Sequence, residues 1–478
     1  MMGGMSTKRS SLPPNRDLTT TGFLARHPKL AADVTLTAGA KIFYCFLLLG
    51  AVFLALLDWR QSTHFLYVFY ALYAAIILFR LLTVIVALFG HSEVTVKQER
   101  LKKEDDQDWP HYTVLVPLYR EPEVAAKIVR YVDKLDYPRN KLQVFLILEQ
   151  DDDLTRRALE VVPLPDYFRV INVPDTQPRT KPKACNWGLK EAQGEFLVIY
   201  DAEDRPDPDQ LKKAVIAFRE MPEEVICLQA KLSYYNPDQN LLTRWFTIEY
   251  AAWFDLYLPG LYRLKFPIPL GGTSNHLRRR NLEEIGGWDP FNVAEDCDLG
   301  IRLHRMGYRT AMLDTTTWEE ANSQLRNWVR QRSRWVKGYL QTHLVHTRNP
   351  WQTFQELRPA GIFGFLMSVG GYSLLLLINP VFWVSALVYF LVMGRQIHNV
   401  DFYSTAAILI ITNLLFISIN LLGCLKRRLG ILYLLSALLS PFYWALISIA
   451  AWKGFLQLLR RPHFWEKTNH GLFHDPPA

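Results

Sequence analysis

Two runs in this chain are too apolar for too long to belong to a water-soluble core: Phe65–Phe89 and Phe402–Gly423. A hydrocarbon layer about 30 Å thick takes roughly 20 residues of helix, so each run is long enough to cross it. Inside that layer no water satisfies the backbone, and a helix closes its own hydrogen bonds. Between the two runs lies a long stretch with an ordinary share of charge, which no bilayer accepts. A soluble domain mounted between membrane helices is therefore expected.

The flanks set an orientation. In the polar tail 1–40, Lys8, Arg9, Arg16, Arg26 and Lys29 outnumber Asp17 and Asp33, which marks a cytoplasmic flank. Ile42–Leu57 is short for a span but can be extended by snorkelling Lys41 and Arg60, giving a hairpin over 41–90 with both ends inside. The long polar lead and the lack of a small-residue cleavage site oppose a signal peptide. Arg80 lies inside the second run and must face protein or a water-filled path, either as a structural partner or as part of a substrate path.

Residues 346–452 read as interfacial and transmembrane helices. Gly361–Asn379 and Val381–Met393 are expected to break at Pro380, and Phe402–Gly423 to cross. Leu429–Ala451 contains Pro441 and is basic on both sides (Lys426, Arg427, Arg428; Arg460, Arg461, Lys467), so a broken or interfacial segment is expected there. That leaves two C-terminal crossings and a cytoplasmic tail, 453–478. The whole reads as a multi-pass protein of the plasma (inner) membrane, its soluble domain in the cytosol.

The formal net charge of +8 fits an anionic membrane face or a phosphorylated substrate. No dense basic tract is interleaved with aromatics, so nucleic acid is not an expected partner. The five cysteines are scattered, without the paired spacing of a disulfide framework or a zinc site.

Within 91–345, strand-like runs at Tyr112–Val116, Leu142–Leu148, Phe168–Val173, Phe196–Tyr200 and Val225–Leu232 alternate with helical patterns such as Glu123–Leu135 and Pro182–Ala192. This alternation predicts a doubly wound, Rossmann-like α/β sheet. Phe196–Tyr200 has no polar residue and reads as a strand buried on both faces. It delivers Asp201, Glu203 and Asp204 at its carboxyl end, where open α/β sheets bind ligands. Such oxygens suit Mg²⁺ or Mn²⁺ bridging to substrate phosphates, and an acidic solvated loop is the plain alternative.

Four more stretches carry chemistry. Val114–Pro122 stops a strand at a proline and exposes Tyr119 and Glu121, an aromatic with an acceptor, as a pyrimidine base requires. Leu146–Asp153 ends the next strand in carboxylates, among them Glu149 and Asp151, which could accept from a uracil N–H. Glu295 and Asp296 open a helix, either as caps stabilised by its dipole or as a general base on a cleft wall. In Trp328–Gly338, Gln331, Arg334 and Trp335 share a helix face. Arg334 could pair with a diphosphate and Trp335 stack on a sugar, although a basic interfacial helix would show the same pattern.

In combination, an Asp-x-Glu strand end, a Glu-Asp, then Gln-x-x-Arg-Trp followed by membrane helices resembles the membrane-embedded family-2 glycosyltransferases, the relatives of bacterial cellulose and other β-glycan synthases. The resemblance covers residues ~110–345 well; Gln331–Trp335 is its most specific element. It implies a glycosyltransferase A-type domain. Asp201 and Glu203 would hold the divalent ion, with Asp204 a possible substitute, and Asp296 beside Glu295 would be the base. Lys183 and Asn186 match a donor-site element. Thr273 and Ser274 stand where relatives have an acceptor-lining strand. Trp465–Gly471, with Lys467 and Thr468, resembles a segment that closes over the nucleotide, or is an ordinary polar tail.

The expected activity is inverting, metal-dependent transfer from a nucleotide sugar, UDP-glucose favoured, onto a growing β-linked polysaccharide that is extruded through the membrane helices. Single glycosylation of a membrane lipid is the enzymatic alternative. A transporter or scaffold with a degenerate transferase domain is the non-enzymatic one.

Overall fold

The computed structural model describes residues 18–42, 45, 46, 49, 59–393 and 400–473. Eight strands form one sheet: β1 (Tyr112–Leu118), β2 (Leu142–Glu149), β3 (Phe168–Val173), β4 (Phe196–Ile199), β5 (Arg205–Pro206), β6 (Val225–Tyr234), β7 (Asn275–Arg278) and β8 (Arg309–Glu319). Their order is β3-β2-β1-β4-β7-β6-β8-β5. The first four are parallel neighbours, joined by helices that include Pro122–Asp133 and Lys181–Glu191. All four residues of β4 are buried, as their unbroken apolarity requires.

The other half of the sheet differs from a simple doubly wound one. β7 runs antiparallel between β4 and β6, and β5 antiparallel to β8, so the sheet is mixed. β7 reads Asn-His-Leu-Arg and has no strand-like periodicity; its neighbours impose the conformation. The β1–β4 pairing faces the β7 insertion, and the ends of these strands open into the cavity described below.

Among the described residues four helices are long and apolar enough to cross a membrane: Ala71–Leu88, Pro350–Pro380, Ala406–Lys426 and Ser440–Arg460. The first lies in helix Trp59–Leu88; most of the other expected hairpin limb, 42–57, is outside the described residues. The expected break at Pro380 is absent, since helix Tyr372–Met393 runs through it, as apolar surroundings permit. The chain bends instead at Arg358, whose φ of 58° precedes Pro359, a proline that disfavours helical geometry in the residue before it. At the C-terminal end, Ile431–Leu438 and Ser440–Arg460 are separate helices, with Pro441 in the first turn of the second.

The sheet and the long apolar helices are joined by charge. Arg427, just past helix Val400–Lys426, pairs with Asp255 and donates to Ser233 Oγ (3.0 Å) and the Leu232 carbonyl (2.8 Å) at the end of β6. Helix Ser440–Arg460 packs along helix Leu325–Thr347 so closely that a Cβ on Gly454 would meet the Ser333 carbonyl at 2.4 Å.

Candidate active site

The carboxyl ends of β1, β2 and β4 open into a cavity of about 560 Å³. Its walls include Asp201 and Glu203 past β4, Glu295 and Asp296 at the start of helix Glu295–Arg305, and Gln331, Arg334 and Trp335 on Leu325–Thr347. Tyr119, Glu121 and Glu149 complete the strand-end wall, and Lys467 and Thr468 come from the C-terminal segment.

Gly272 separates the two key carboxylates. A Cβ there would lie 3.4 Å from Asp296 Oδ2 and 3.9 Å from both Asp201 Oδ2 and Lys181 Nζ. The bare backbone thus leaves a cradle with one carboxylate on each side. Lys181 bridges it: Nζ pairs with Asp201, donates to the Gly272 carbonyl (2.6 Å) and lies 3.9 Å from Glu295. Burial opposes the charge on Lys181, and Asp201 with Glu295 outweighs it, so its pKa is raised.

Burial dominates Glu295 as well, pushing it up to about 7 against the pull of Lys181. Asp296 is raised from the usual carboxylate range chiefly by burial, while the Cys297 N–H (2.7 Å), Lys181 and Arg334 oppose the rise. A carboxylate raised in this way is a better proton acceptor near neutral pH. Two helices hold it in place. Asp298 accepts from Arg302 (3.3 Å) on its own helix and pairs with His346 (3.0 Å) on Leu325–Thr347, all three fully buried or nearly so.

Arg334 has no carboxylate within 4.0 Å among the described residues, and its Nε is buried without a hydrogen-bond partner. Its guanidinium lies 4.4 Å from the centre of the Trp465 ring. A desolvated cation held by a ring and pointing into an acidic cavity is ready for an anion such as a diphosphate.

The C-terminal segment covers the opening. Lys467 donates to the Tyr119 and Arg120 carbonyls, Asn469 accepts from Asn327 Nδ2 (2.8 Å), and Glu320 accepts from Gly471 N (2.7 Å). His470 Nδ1 reaches Glu203 Oε1 at 2.6 Å. Burial lowers the imidazole, Glu203 outweighs that, and its pKa is raised to about 9. The same contact holds Glu203 below its ordinary value despite burial.

The chemistry of this donor set fits a divalent cation. Among the described residues no three His, Cys, Asp or Glu side chains are arranged to hold a metal alone. Mg²⁺ and Mn²⁺ sites of this kind need only one or two carboxylates and take their remaining oxygens from substrate phosphates. Asp201 and Glu203 line the cavity beside the Gly272 cradle and now pair with cationic Lys181 and His470, which mark where positive charge is favoured.

Several expected site residues face elsewhere. Asp204 is fully buried and accepts from Asp201 N (2.8 Å) and Thr273 Oγ1, bracing the turn instead of offering a ligand to the cavity. Thr273 Oγ1 also reaches the Ile199 carbonyl (3.0 Å), and Ser274 Oγ donates to Thr317 Oγ1 (2.6 Å); neither lines the cavity, because Gly271 and Gly272 do. Lys183 turns to Glu149 (2.9 Å), since residues two apart on a helix do not share a face and Lys181 holds the cavity side. Asn186 clamps Trp288 through both backbone groups (2.8 and 2.9 Å). Asp151 does not line the cavity itself and pairs with Arg179 (2.9 Å), which does.

Sequence reasoning passed over Lys181, gave His470 no role of its own, and read the basic residues of Trp328–Gly338 as an interfacial pattern, whereas Arg332 is buried and pairs with Glu249. Lys181 sits at the start of a helix that begins beyond β3, a position facing the strand ends. His470 lies within the Trp465–Gly471 segment, but no local pattern marks its meeting with Glu203, to which it is brought from the far end of the chain.

Residues 196–456 match the family described as Glycosyl transferase family group 2. The chain belongs to this family. Membership of this family weighs against the transporter or scaffold reading. Family relatives include the "Probable glycosyltransferase YdaM" of Bacillus subtilis (strain 168), 28% identical over 239 residues, 49% of this chain and 57% of that protein. The "Beta-monoglucosyldiacylglycerol synthase" of Trichormus variabilis is 26% identical over 309 residues, 60% of this chain and 65% of that one. The matched region thus spans less than two thirds of either relative's own length. Among solved structures, the chain is similar to mannosyltransferase PcManGT from Pyrobaculum calidifontis in complex with GDP-Man and Mn²⁺ (21% identity, TM-score 0.49, covering 81% of this chain and 99% of that one). It is also similar to S. aureus TarS 1–349 (16%, 0.37, 70% and 91%).

Proposed function

We propose that this family member is an inverting, divalent-metal-dependent glycosyltransferase of the plasma (inner) membrane. It moves a sugar from a nucleotide sugar, UDP-glucose as first candidate, onto a growing β-linked polysaccharide at the cytosolic face. Under this reading 91–345 is the catalytic domain and 453–478 the segment that closes it. The observation that carries the proposal is the meeting of Asp201, Asp296 and Arg334 in one cavity, with the Gly272 cradle between the two carboxylates.

The chemistry follows from that placement. Tyr119 and Glu121 stand where the base would lie, and Arg334, with Lys467 and Thr468, where the diphosphate would. Mg²⁺ or Mn²⁺ held by Asp201 and Glu203 would neutralise charge on the leaving diphosphate. Asp296 takes the proton of the acceptor hydroxyl as its oxygen bonds to the anomeric carbon and the bond to the diphosphate oxygen breaks. Attack from the opposite face inverts the configuration. Arg334 meets the charge that grows on the leaving group. Trp335 lines the acceptor side with Gln331; Arg332, 4.7 Å from the centre of the Trp335 ring, fixes it.

A lipid acceptor is the second reading. Trp253, Tyr339 and Tyr372 give the deep wall of the cavity an aromatic face, and Tyr372 begins a membrane-level helix. A relative named for monoglucosyldiacylglycerol synthesis adds to it. Purified full-length protein given a panel of nucleotide sugars, with Mg²⁺ and Mn²⁺ varied, tests both. Polymer ladders with β-linkages support the first reading, a single glycolipid band supports the second, and no transfer from any donor overturns both.

A further inference from the structure

We infer that Arg80 binds the phosphate of a lipid at the membrane end of the active-site cavity. The residue sits inside the apolar run of helix Trp59–Leu88, where a permanent charge is costly unless something meets it. Among the described residues no carboxylate lies within 4.0 Å of it, and its Nε is buried with no hydrogen-bond partner. Aromatic rings surround it instead. Its guanidinium carbon is 4.8 Å from the ring centre of Tyr257, 5.4 Å from Phe416, 5.6 Å from Trp253 and 5.9 Å from Tyr372.

The cage is assembled from irregular backbone. Trp253 and Tyr257 lie on a π-helical segment, Trp253–Tyr257, and Tyr372 directly follows a second one, Leu366–Gly371. Such segments are rare and concentrate at functional sites. Rings stabilise the cation but accept poorly from its N–H edge, which is where a phosphate offers matching oxygens. Trp253 and Tyr372 also line the catalytic cavity, so the cage and the cavity share walls.

A guanidinium recognises a headgroup phosphate rather than an acyl chain. Helix Leu258–Arg263, continuous with the soluble domain, meets the membrane helix one turn away: a Cβ on Gly260 would come within 2.0 Å of the Thr83 carbonyl. Arg80 therefore lies one turn from a contact between the soluble domain and the apolar helix, and the wall its cage shares with the cavity is the route by which a lipid phosphate reaches it. The phosphate belongs either to a bilayer phospholipid or to a phosphorylated lipid substrate, and the same experiment separates them.

Full-length protein in dodecyl maltoside is titrated with phosphatidylglycerol and read by native mass spectrometry, then challenged with dodecyl phosphate. Wild type is expected to retain one phosphatidylglycerol per chain, and R80Q to retain it about tenfold less tightly, the scale of one charge-assisted hydrogen bond. R80K, which keeps the charge and loses the planar fork, is expected between them and is read where R80Q does not fold. Displacement by dodecyl phosphate assigns the site to a phosphomonoester substrate; resistance assigns it to the bilayer. A wild type that retains no phospholipid, or variants that retain it as tightly as wild type, overturns the inference. Lipid retention is read without donor or turnover, so this failure is distinct from a failure of the proposed transfer reaction.

Discussion

His470 Nδ1 stands 2.6 Å from Oε1 of Glu203, although more than half the chain separates them in sequence. The contact places the C-terminal segment directly on the strand-end carboxylates. His470→Ala is therefore expected to lower donor turnover by about a hundredfold or more while leaving the melting temperature nearly unchanged, the mark of a site residue on a peripheral segment. Initial rates and a thermal melt of the same preparation check this. Full turnover in H470A would show that the segment merely rests on the cavity.

Asp296→Asn is expected to keep nucleotide binding and lose transfer by about 10²–10⁴-fold, the usual weight of a general base. Calorimetric titration with the nucleoside diphosphate, beside a transfer assay, separates the two. Retained turnover would move the base elsewhere, with Glu295 the next to test.

Gly338 is where the two catalytic helices touch. A Cβ there would meet Ala294 Cβ at 2.3 Å and its backbone nitrogen at 2.7 Å, directly before Glu295. Gly338→Ala is expected to cost roughly 1–3 kcal/mol of stability through overpacking. It should lower activity further than that loss explains, because the helix start carrying Asp296 must shift. Denaturant unfolding and kcat of the variant give the comparison.

His27 ties the N-terminal segment to the catalytic domain through Nε2 and the Ile285 carbonyl (2.8 Å). Burial, helped by Arg302, lowers its pKa to about 4 from the ordinary 6.5. The unfolded chain then binds this proton more readily than the folded one. The contribution is complete above pH 6.5, is lost as pH falls through that window, and is spent near pH 4. Hydrogen exchange in residues 20–35 is expected to quicken over this range relative to the sheet, and His27→Gln to flatten the dependence.

Removal of divalent ions by EDTA is expected to reduce transfer to background, and Mn²⁺ or Mg²⁺ to restore it. Asp201→Asn should raise the ion concentration needed for half-restoration by about tenfold or more, as loss of one ligand does. An EDTA-resistant rate would remove the metal from the proposal.

Much of the sheet was legible in the chain. β1 to β4 and β6 are runs dominated by apolar and β-branched residues, and β4 (Phe-Leu-Val-Ile) is wholly apolar because a strand buried on both faces has no polar position to spare. β5, β7 and β8 are not among the runs read as strands; β5 and β7 take their conformation from the neighbours they pair with, and β8 (Arg309–Glu319) is set by its parallel pairing with β6. That Asp201, Glu203, Asp296, Arg334 and Trp335 line one cavity was anticipated because spacing placed each at a strand end or on a helix; their roles are proposals. Lys183 and Asn186 were misplaced because a short motif does not say which face of its helix meets the cavity.

The sequence alone determined the kinds of element: apolar length makes helices long enough to cross a membrane, and apolar runs that end in acid make strands with a charged rim. Which charges meet was decided only by the tertiary structure. Lys181 rather than Lys183 reaches Asp201, and His470 closes on Glu203. Local pattern is set by backbone hydrogen bonding and burial over a few residues. The partners of a buried charge depend on which distant segments the packed core brings within a few ångströms.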